Sequence, residues 1–144
     1  MIVSASLSVA ALGLLAGMVL GPRHSRAWLG ATLVATAASL AAALTVLLGY
    51  EPTWDWSGAV RIGGELPHLR LDAISSLFLA LLSVIGGAGA AYSRDYWSDH
   101  HYPKSAGRGR FWWSGLVLTM GLVLIEANGL HFLIAWELFT VSAY

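Results

Sequence analysis

The chain contains no cysteine and few charged side chains: Asp, Glu, Lys and Arg together make up only 11% of its 144 residues. Without cysteine it forms no disulfides and binds neither zinc nor iron–sulfur clusters through thiolates. The formal net charge is zero, so no basic surface for nucleic acid is indicated. Glycine-rich phosphate-binding motifs are also missing. These absences argue against a nucleic-acid-binding protein, a nucleotide-binding enzyme and a thiolate metalloprotein.

Apolar residues dominate what is present. Hydrophobic side chains make up 57% of the chain and the mean hydropathy is +0.67, which predicts a membrane protein whose main partner is the lipid bilayer. A helix that spans the bilayer needs about 20 apolar residues. Five apolar stretches are predicted to form helices: 2–20, 28–50, 71–92, 111–128 and 130–144.

We therefore predict an all-α fold, a polytopic transmembrane helix bundle that forms a single membrane domain over residues 1–144. It has four full spans and a truncated fifth, because the last stretch covers only roughly 22 Å of helix. That stretch is still apolar at Tyr144, so we expect the N-terminal part of a longer protein. A cleaved signal peptide is the alternative for the first stretch, but no Lys or Arg precedes it.

The basic residues predict the orientation. Lys and Arg are concentrated in loops 21–27 and 93–110, which the positive-inside rule assigns to the cytoplasm. We expect a multi-pass protein of the cell inner membrane with its N-terminus and loop 51–70 outside. Within that loop, Gly63 and Gly64 separate two strand-like segments and predict a short outer-face β-hairpin between the second and third helices. A plain exposed loop is the alternative.

Glu137 is the charged residue that we expect deepest inside a span. It lies between Trp136 and Leu138, about 10 Å along the fifth helix. An ionised carboxylate at such depth is costly unless water or a cation shares the site. A carboxyl group in apolar surroundings can also exchange its proton near neutral pH. We therefore predict that Glu137 carries protons within the membrane; the alternative is a carboxyl group hydrogen-bonded for packing alone.

Two further residues are secondary candidates for proton transfer. Glu126 ends the fourth stretch, where a simply hydrated carboxylate is the alternative. His131 lies six residues before Glu137, so the two side chains do not share a helix face. Asp72 is predicted to stabilise the start of the third helix. No catalytic or cofactor-binding residue is predicted. No metal-binding residue is predicted either, because the adjacent histidines in loop 93–110 lack the spacing of metal ligands.

Several motifs resemble those of a known family. The run 71–78 (LDAISSLF) resembles the LDxLSxxF opening of the third helix in the antiporter-like subunits of respiratory complex I and its relatives. The run 128–137 (NGLHFLIAWE), with 142–144 (SAY), is similar to their fifth helix, typically NxLxFLxxWExxxLxSY. The family also includes the large subunits of Mrp-type sodium/proton antiporters and the hydrogenase-4 B subunit. The run 91–97 (AYSRDYW) resembles the last of these most.

The resemblance implies that Glu137 corresponds to the family's essential proton-handling glutamate. It implies the N-terminal segment of a proton-translocating antiporter-like membrane subunit, in a hydrogenase-4 or NADH:quinone oxidoreductase-type complex that moves H+ or Na+. Partners would be the other membrane and peripheral subunits, and these would carry the iron–sulfur and other redox centres. The family's broken helices and membrane lysines would lie beyond Tyr144. An Mrp-type Na+/H+ antiporter component is one alternative; a non-transporting membrane scaffold or anchor is another.

Overall fold

The computed structural model describes residues 1–144 and is 70% helical. Its elements follow in this order: α1 (Ile2–Leu20), α2 (Ser25–Leu47), β1 (Trp54–Ser57), β2 (His68–Leu71), α3 (Ala73–Tyr96), α4 (Ala106–Ile125) and α5 (Gly129–Ala143). The predicted helical architecture, with a small hairpin between the second and third helices, is confirmed.

Three helices, α1, α2 and α3, are long and apolar enough to cross a membrane. α4 contains 20 residues, but Arg108 and Arg110 lie in its first turns and two tryptophans follow them. Its apolar part is therefore shorter, and α4 is not among the three. α5 is apolar but has only 15 residues. The helices thus indicate a membrane protein, whereas four full spans remain a prediction.

The second helix ends three residues earlier than predicted. α2 stops at Leu47 because Gly49 has a φ of 78°, a left-handed conformation that cannot continue the helix. The N–H of Gly49 donates to the Val46 carbonyl (3.0 Å), and that of Tyr50 donates to the Thr45 carbonyl (3.1 Å). This pair of hydrogen bonds is a Schellman motif.

The third and fourth helices both extend into the segment predicted as loop 93–110. α3 continues past Tyr92 to Tyr96, and α4 begins at Ala106 instead of Phe111. Both extensions are rich in polar and charged residues. A hydropathy pattern marks only the apolar part of a helix. The predicted end of α3 and the predicted start of α4 therefore fall inside the helices instead of at their true ends.

The helices alternate in direction, so the hairpin and the basic loops lie at opposite ends of the molecule. At one end, Trp54 of β1 donates from Nε1 to Ser4 Oγ in α1 (2.7 Å). At the other, Arg110 of α4 donates from Nε to the Gly21 carbonyl that follows α1 (2.7 Å). We call these ends the hairpin face and the basic face. The basic face carries most of the Lys and Arg side chains: Arg23, Arg26, Arg94, Lys104, Arg108 and Arg110.

The hairpin is an antiparallel pair of four-residue strands in which Ser57 lies opposite His68. Gly63 and Gly64 form its turn, with φ values of 65° and 90°. Positive φ at both central residues is typical of the tight two-residue turns that glycine permits. The turn lies where it was predicted, while the strands are shorter than the segments that flank it in sequence.

The first four helices form a bundle in which small residues allow close approach. α2 packs between α1 and α3, and α4 packs against α1. A Cβ added to Gly13 would lie 2.9 Å from Ala35 Cβ, and one added to Gly17 would lie 2.7 Å from Ser114 Oγ. Only glycine fits at these contacts, as is common between membrane helices. The larger core cluster lies near the hairpin face: Val3, Ala42, Ala43, Val46, Leu71, Leu79 and Ile125.

α5 lies outside this bundle and packs mainly on α4. Its buried residues are His131 and Ala135, and Phe139 and Ser142 are half-buried. These four residues are three or four positions apart, so they form one stripe along the helix. The rest of α5 exposes large apolar side chains: Leu130, Phe132, Leu133, Ile134, Trp136, Leu138 and Val141.

Candidate functional site

Glu137 occupies the middle of α5, on the side turned away from α4. Viewed along the helix axis, the stripe that packs on α4 covers one side of α5. At about 100° per residue, Glu137 projects from roughly the opposite side. The Glu137 side chain is exposed and takes part in none of the ion pairs of the chain. Its neighbours Trp136 and Leu138 are exposed as well.

The surface around Glu137 is therefore apolar and lacks a counter-charge. α5 contains no lysine or arginine. An ionised carboxylate that faced hydrocarbon without a partner would cost several kcal/mol. A helix or a water-filled path packed against this side of α5 would remove that cost, and the carboxyl group could then hold or pass a proton.

A second group of polar side chains lies where α4 turns into α5. We call it the hairpin-face cluster, and it consists of Asp55, His68, Glu126 and His131. Glu126 forms a β-bridge with Leu69 of β2, and the next N–H, of Ala127, donates to the His68 carbonyl (2.8 Å). The hairpin thereby holds the end of α4 and positions Glu126.

Glu126 is half-buried, and its Oε2 atom is buried without a hydrogen-bond partner. Burial raises the pKa of the Glu126 carboxyl above its ordinary value, and positive charge on His131 or His68 opposes this rise. A raised pKa means that the fold favours the neutral carboxyl group. Glu126 can therefore take up and release a proton at a higher pH than an ordinary glutamate.

His131 is buried, with 6% of its surface exposed. Its Nε2 lies 3.2 Å from the Ile62 carbonyl, and because a carbonyl only accepts, we assign the proton to Nε2. Nδ1 is buried without a partner. Buried polar atoms are nearly always hydrogen-bonded, so the unpaired Nδ1 of His131 and Oε2 of Glu126 are two unusual atoms in one cluster. A water molecule or an added proton would satisfy each of these atoms.

The outer part of the cluster, formed by Asp55 and His68, was not predicted from the sequence. His68 Nε2 lies 3.1 Å from Asp55 Oδ1, across the hairpin, and both side chains are about half-exposed. An exposed pair of this kind contributes little to stability, but it brings a second imidazole near Glu126. The two residues are diagonal neighbours on antiparallel strands, so the strand register was the signal needed to find them.

The structure brings two of the three predicted proton-transfer residues together and leaves the third apart. Glu126 and His131 share the hairpin-face cluster. Glu137 lies six residues after His131, about 9 Å further along α5 and on a different side of the helix. A proton that moved between His131 and Glu137 would need intervening groups.

Asp72 has a structural position as the N-cap of α3. Its Oδ1 accepts a hydrogen bond from the Ser75 N–H (2.8 Å), and this bond lowers the pKa of the Asp72 carboxyl. Asn128 caps α5 similarly, since its Oδ1 accepts from the Leu130 N–H (2.9 Å). α5 therefore begins at Gly129, one residue before the predicted start.

The titratable groups at both locations are carboxyls and imidazoles, which are suited to binding and releasing protons. No three or more His, Cys, Asp or Glu side chains lie together in a way that could hold a metal ion. Comparison with protein-family models and with curated protein sequences gives no match for this chain.

Proposed function

We propose that this chain belongs to a proton-translocating, antiporter-like membrane subunit of a hydrogenase-4 or NADH:quinone oxidoreductase-type complex. The observation that carries the proposal is Glu137, a carboxylate midway along a predominantly apolar helix. The resemblance of runs 71–78, 128–137 and 142–144 supports the same function. In this proposal the protein lies in the cell inner membrane with four full spans and its N-terminus outside. Redox centres belong to partner subunits.

In the proposed mechanism, Glu137 holds a proton while its surroundings are neutral and releases it when a cation approaches, because nearby positive charge favours the carboxylate. The uncovered apolar side of α5 supports this mechanism, since it offers a surface where helices that carry the cation would pack. Movement of that cation would couple the protonation of Glu137 to changes in the partner subunits. The cation replaces the counter-charge that α5 itself lacks.

The hairpin-face cluster would connect this site to the outer water. The buried and unpaired Glu126 Oε2 and His131 Nδ1 atoms can bind a proton or a water molecule near the start of α5. The His131 side chain extends from the first turn of α5 to the Ile62 carbonyl of the hairpin, so a proton accepted there would begin its path towards Glu137. This role is secondary to that of Glu137, because the two locations are about 9 Å apart along the helix.

One observation favours a second candidate function, a non-transporting membrane scaffold or anchor. Glu137 is exposed, and no other element of the chain encloses it. If the headgroup layer or water solvates this carboxylate, it needs no partner and has no role in ion movement. The apolar helices would then serve only to hold the protein in the bilayer.

Proton translocation in native membranes distinguishes the two functions. In inverted vesicles from cells that produce the protein with its own partners, we expect Glu137→Gln to reduce proton uptake about 100-fold or more, since positioned acid–base groups typically contribute about 10²- to 10⁴-fold. Glu137→Asp should retain part of the activity because it keeps a carboxyl group. Glu65→Gln is the matched control, because Glu65 is an exposed carboxylate in the hairpin and its replacement should leave uptake unchanged.

Unchanged uptake in Glu137→Gln, with normal amounts of protein in the membrane, would refute the proton-carrier role and favour the scaffold. Sodium-dependent proton release in vesicles without any redox donor would instead favour an Mrp-type antiporter component. Equal losses in Glu137→Gln and Glu65→Gln would also refute a specific role for Glu137.

A further inference from the structure

A polar cleft of about 150 Å³ opens at the basic face, between the start of α2, the end of α3 and the start of α4. Its lining contains Arg26, Arg94 and Arg110 together with Asp99, and Trp28 is its only apolar residue. The volume is well above the ~10–15 Å³ that one water molecule requires. None of the residues discussed above for proton transfer lies in this cleft.

The cleft has excess positive charge. Arg110 is buried, and its guanidinium donates from Nε to the Gly21 carbonyl (2.7 Å) and from Nη2 to Asp99 Oδ1 (2.7 Å). Asp99 therefore neutralises one of the three arginines. Arg26 and Arg94 take part in none of the ion pairs of the chain. Two guanidinium groups from different helices thus border the same cleft without a carboxylate partner.

The backbone adds further donors on one side of the cleft. α2 begins there, and its N-cap residue, His24, provides no side-chain hydrogen bond to the first turn. Ser25 and Arg26 belong to this first turn and line the cleft. N–H groups in the first turn have no partner within the helix, and together with the helix dipole they favour an anion.

We propose that this cleft binds the phosphate group of an anionic phospholipid. Arginine side chains and helix N-termini are typical phosphate ligands, and a lipid with net negative charge matches the uncompensated Arg26 and Arg94. The cleft lies at the ends of three helices, as expected of a headgroup site between membrane helices. Below it, Leu33 is 41% exposed and lies beside Gly87 of α3, which leaves apolar surface between α2 and α3 for an acyl chain. A soluble phosphate ion has no apolar chain that could pack on that surface.

Lipid retention by the full chain tests this proposal. We would extract the protein from its own membrane, equilibrate it with equal amounts of phosphatidylglycerol and phosphatidylcholine, and count the bound lipids by native mass spectrometry. The unmodified protein should retain phosphatidylglycerol preferentially. The double variant Arg26→Gln/Arg94→Gln should weaken that retention about 30-fold, since each arginine near a membrane surface contributes to anionic lipid binding.

The matched control is Arg23→Gln/Arg108→Gln, which removes two arginines from the same face but outside the cleft. We expect a much smaller effect, below about threefold, and circular dichroism should show that both double variants remain folded. An equal loss in both double variants would overturn the proposal in favour of general surface charge. Equal retention of the two lipids by the unmodified protein would also overturn it. Displacement of phosphatidylglycerol by excess inorganic phosphate would show that the site binds a soluble anion instead.

Discussion

Glu126 and His131 are unusual at the residue scale because each leaves one polar atom buried and unpaired. Such an atom costs about 1–3 kcal/mol unless water or a proton satisfies it. Protonation of Glu126 gives that residue an O–H donor and removes its charge, and a neutral carboxyl group costs less to bury than a carboxylate. The protonation state of Glu126 therefore affects how favourable its burial is.

The buried carboxyl group of Glu126 predicts that the stability of the protein depends on pH. Burial raises the pKa of Glu126 from the ordinary value of 4.5, so between that value and the raised pKa the folded protein holds more protons than the unfolded chain. Stability must then fall as pH rises through this interval. Glu126→Gln should abolish this decline and leave the protein at least as stable as the unmodified protein at neutral pH. The free energy of unfolding, measured with denaturant in detergent micelles between about pH 4 and pH 8, tests this prediction.

Glu65→Gln serves as the control, because Glu65 is an exposed carboxyl in the hairpin turn. The stability of this variant should keep the pH dependence of the unmodified protein. If Glu126→Gln retained the full decline, the pH dependence would have to come from another group, and the burial of Glu126 would have no effect on its protonation.

The contact between α1 and α4 determines the packing at the element scale. Gly17 of α1 lies against Ser114 of α4, and Ser114 Oγ accepts a hydrogen bond from Trp28 Nε1 of α2 (2.9 Å). One glycine thus lets three helices meet at a single buried hydroxyl group. The serine cannot turn away from an added methyl group without losing the tryptophan bond.

We therefore predict that Gly17→Ala destabilises the bundle by about 1–3 kcal/mol, as overpacking of a close contact does. Gly30→Ala is the matched control, because Gly30 lies within α2 with no atom within 4 Å of an added Cβ. That variant should be neutral, or more stable by about 0.5–1 kcal/mol, since alanine favours a helix more than glycine does. The free energies of unfolding of the two variants are compared in detergent. Similar values for both would contradict the close approach of α1 and α4.

The hairpin face and the basic face lie at opposite ends of the whole molecule, separated by helices long enough to cross a bilayer. This separation predicts that a residue of the hairpin turn and a residue of the α3–α4 connection lie on different sides of the membrane. The orientation proposed above assigns the hairpin to the outside.

Single cysteines test this topology, and the natural chain contains none that would interfere. In spheroplasts, whose inner membrane is intact and accessible from outside, a membrane-impermeant maleimide should label Glu65→Cys. The same reagent should label Lys104→Cys only after the inner membrane is permeabilised. Labelling of both positions from the same side would contradict the membrane crossing by α3. The reverse pattern would contradict the proposed orientation while leaving the crossing intact.

Hydropathy predicted where helices occur better than where they end. The apolar stretches coincide with helices, but α3 and α4 extend into polar sequence that stays helical through backbone hydrogen bonds. The turn at Gly63 and Gly64 was recognisable because both positions require positive φ. A simple pairing from that turn would place Asp55 opposite Asp72. In the structure Asp55 lies opposite Arg70, so the register has shifted by two residues.

That shift illustrates why the candidate site was only partly predictable. It arises because three residues, 59–61, lie opposite the single residue Leu66, and no local pattern required it. The shifted register brings Asp55 within hydrogen-bond distance of His68. Glu137 was identifiable from sequence because a carboxylate in an apolar helix stands out. The grouping of Glu126 with His131 depended on where the hairpin docks.

By itself the sequence determined that the chain is helical and apolar enough to enter a membrane, because a helix satisfies its backbone locally and its apolar surface follows from composition. Only the tertiary structure decided which polar groups meet. His131 contacts the Ile62 carbonyl, and Arg110 contacts Gly21 and Asp99. Most of these contacts join residues far apart in the chain, so helix packing and hairpin docking create them.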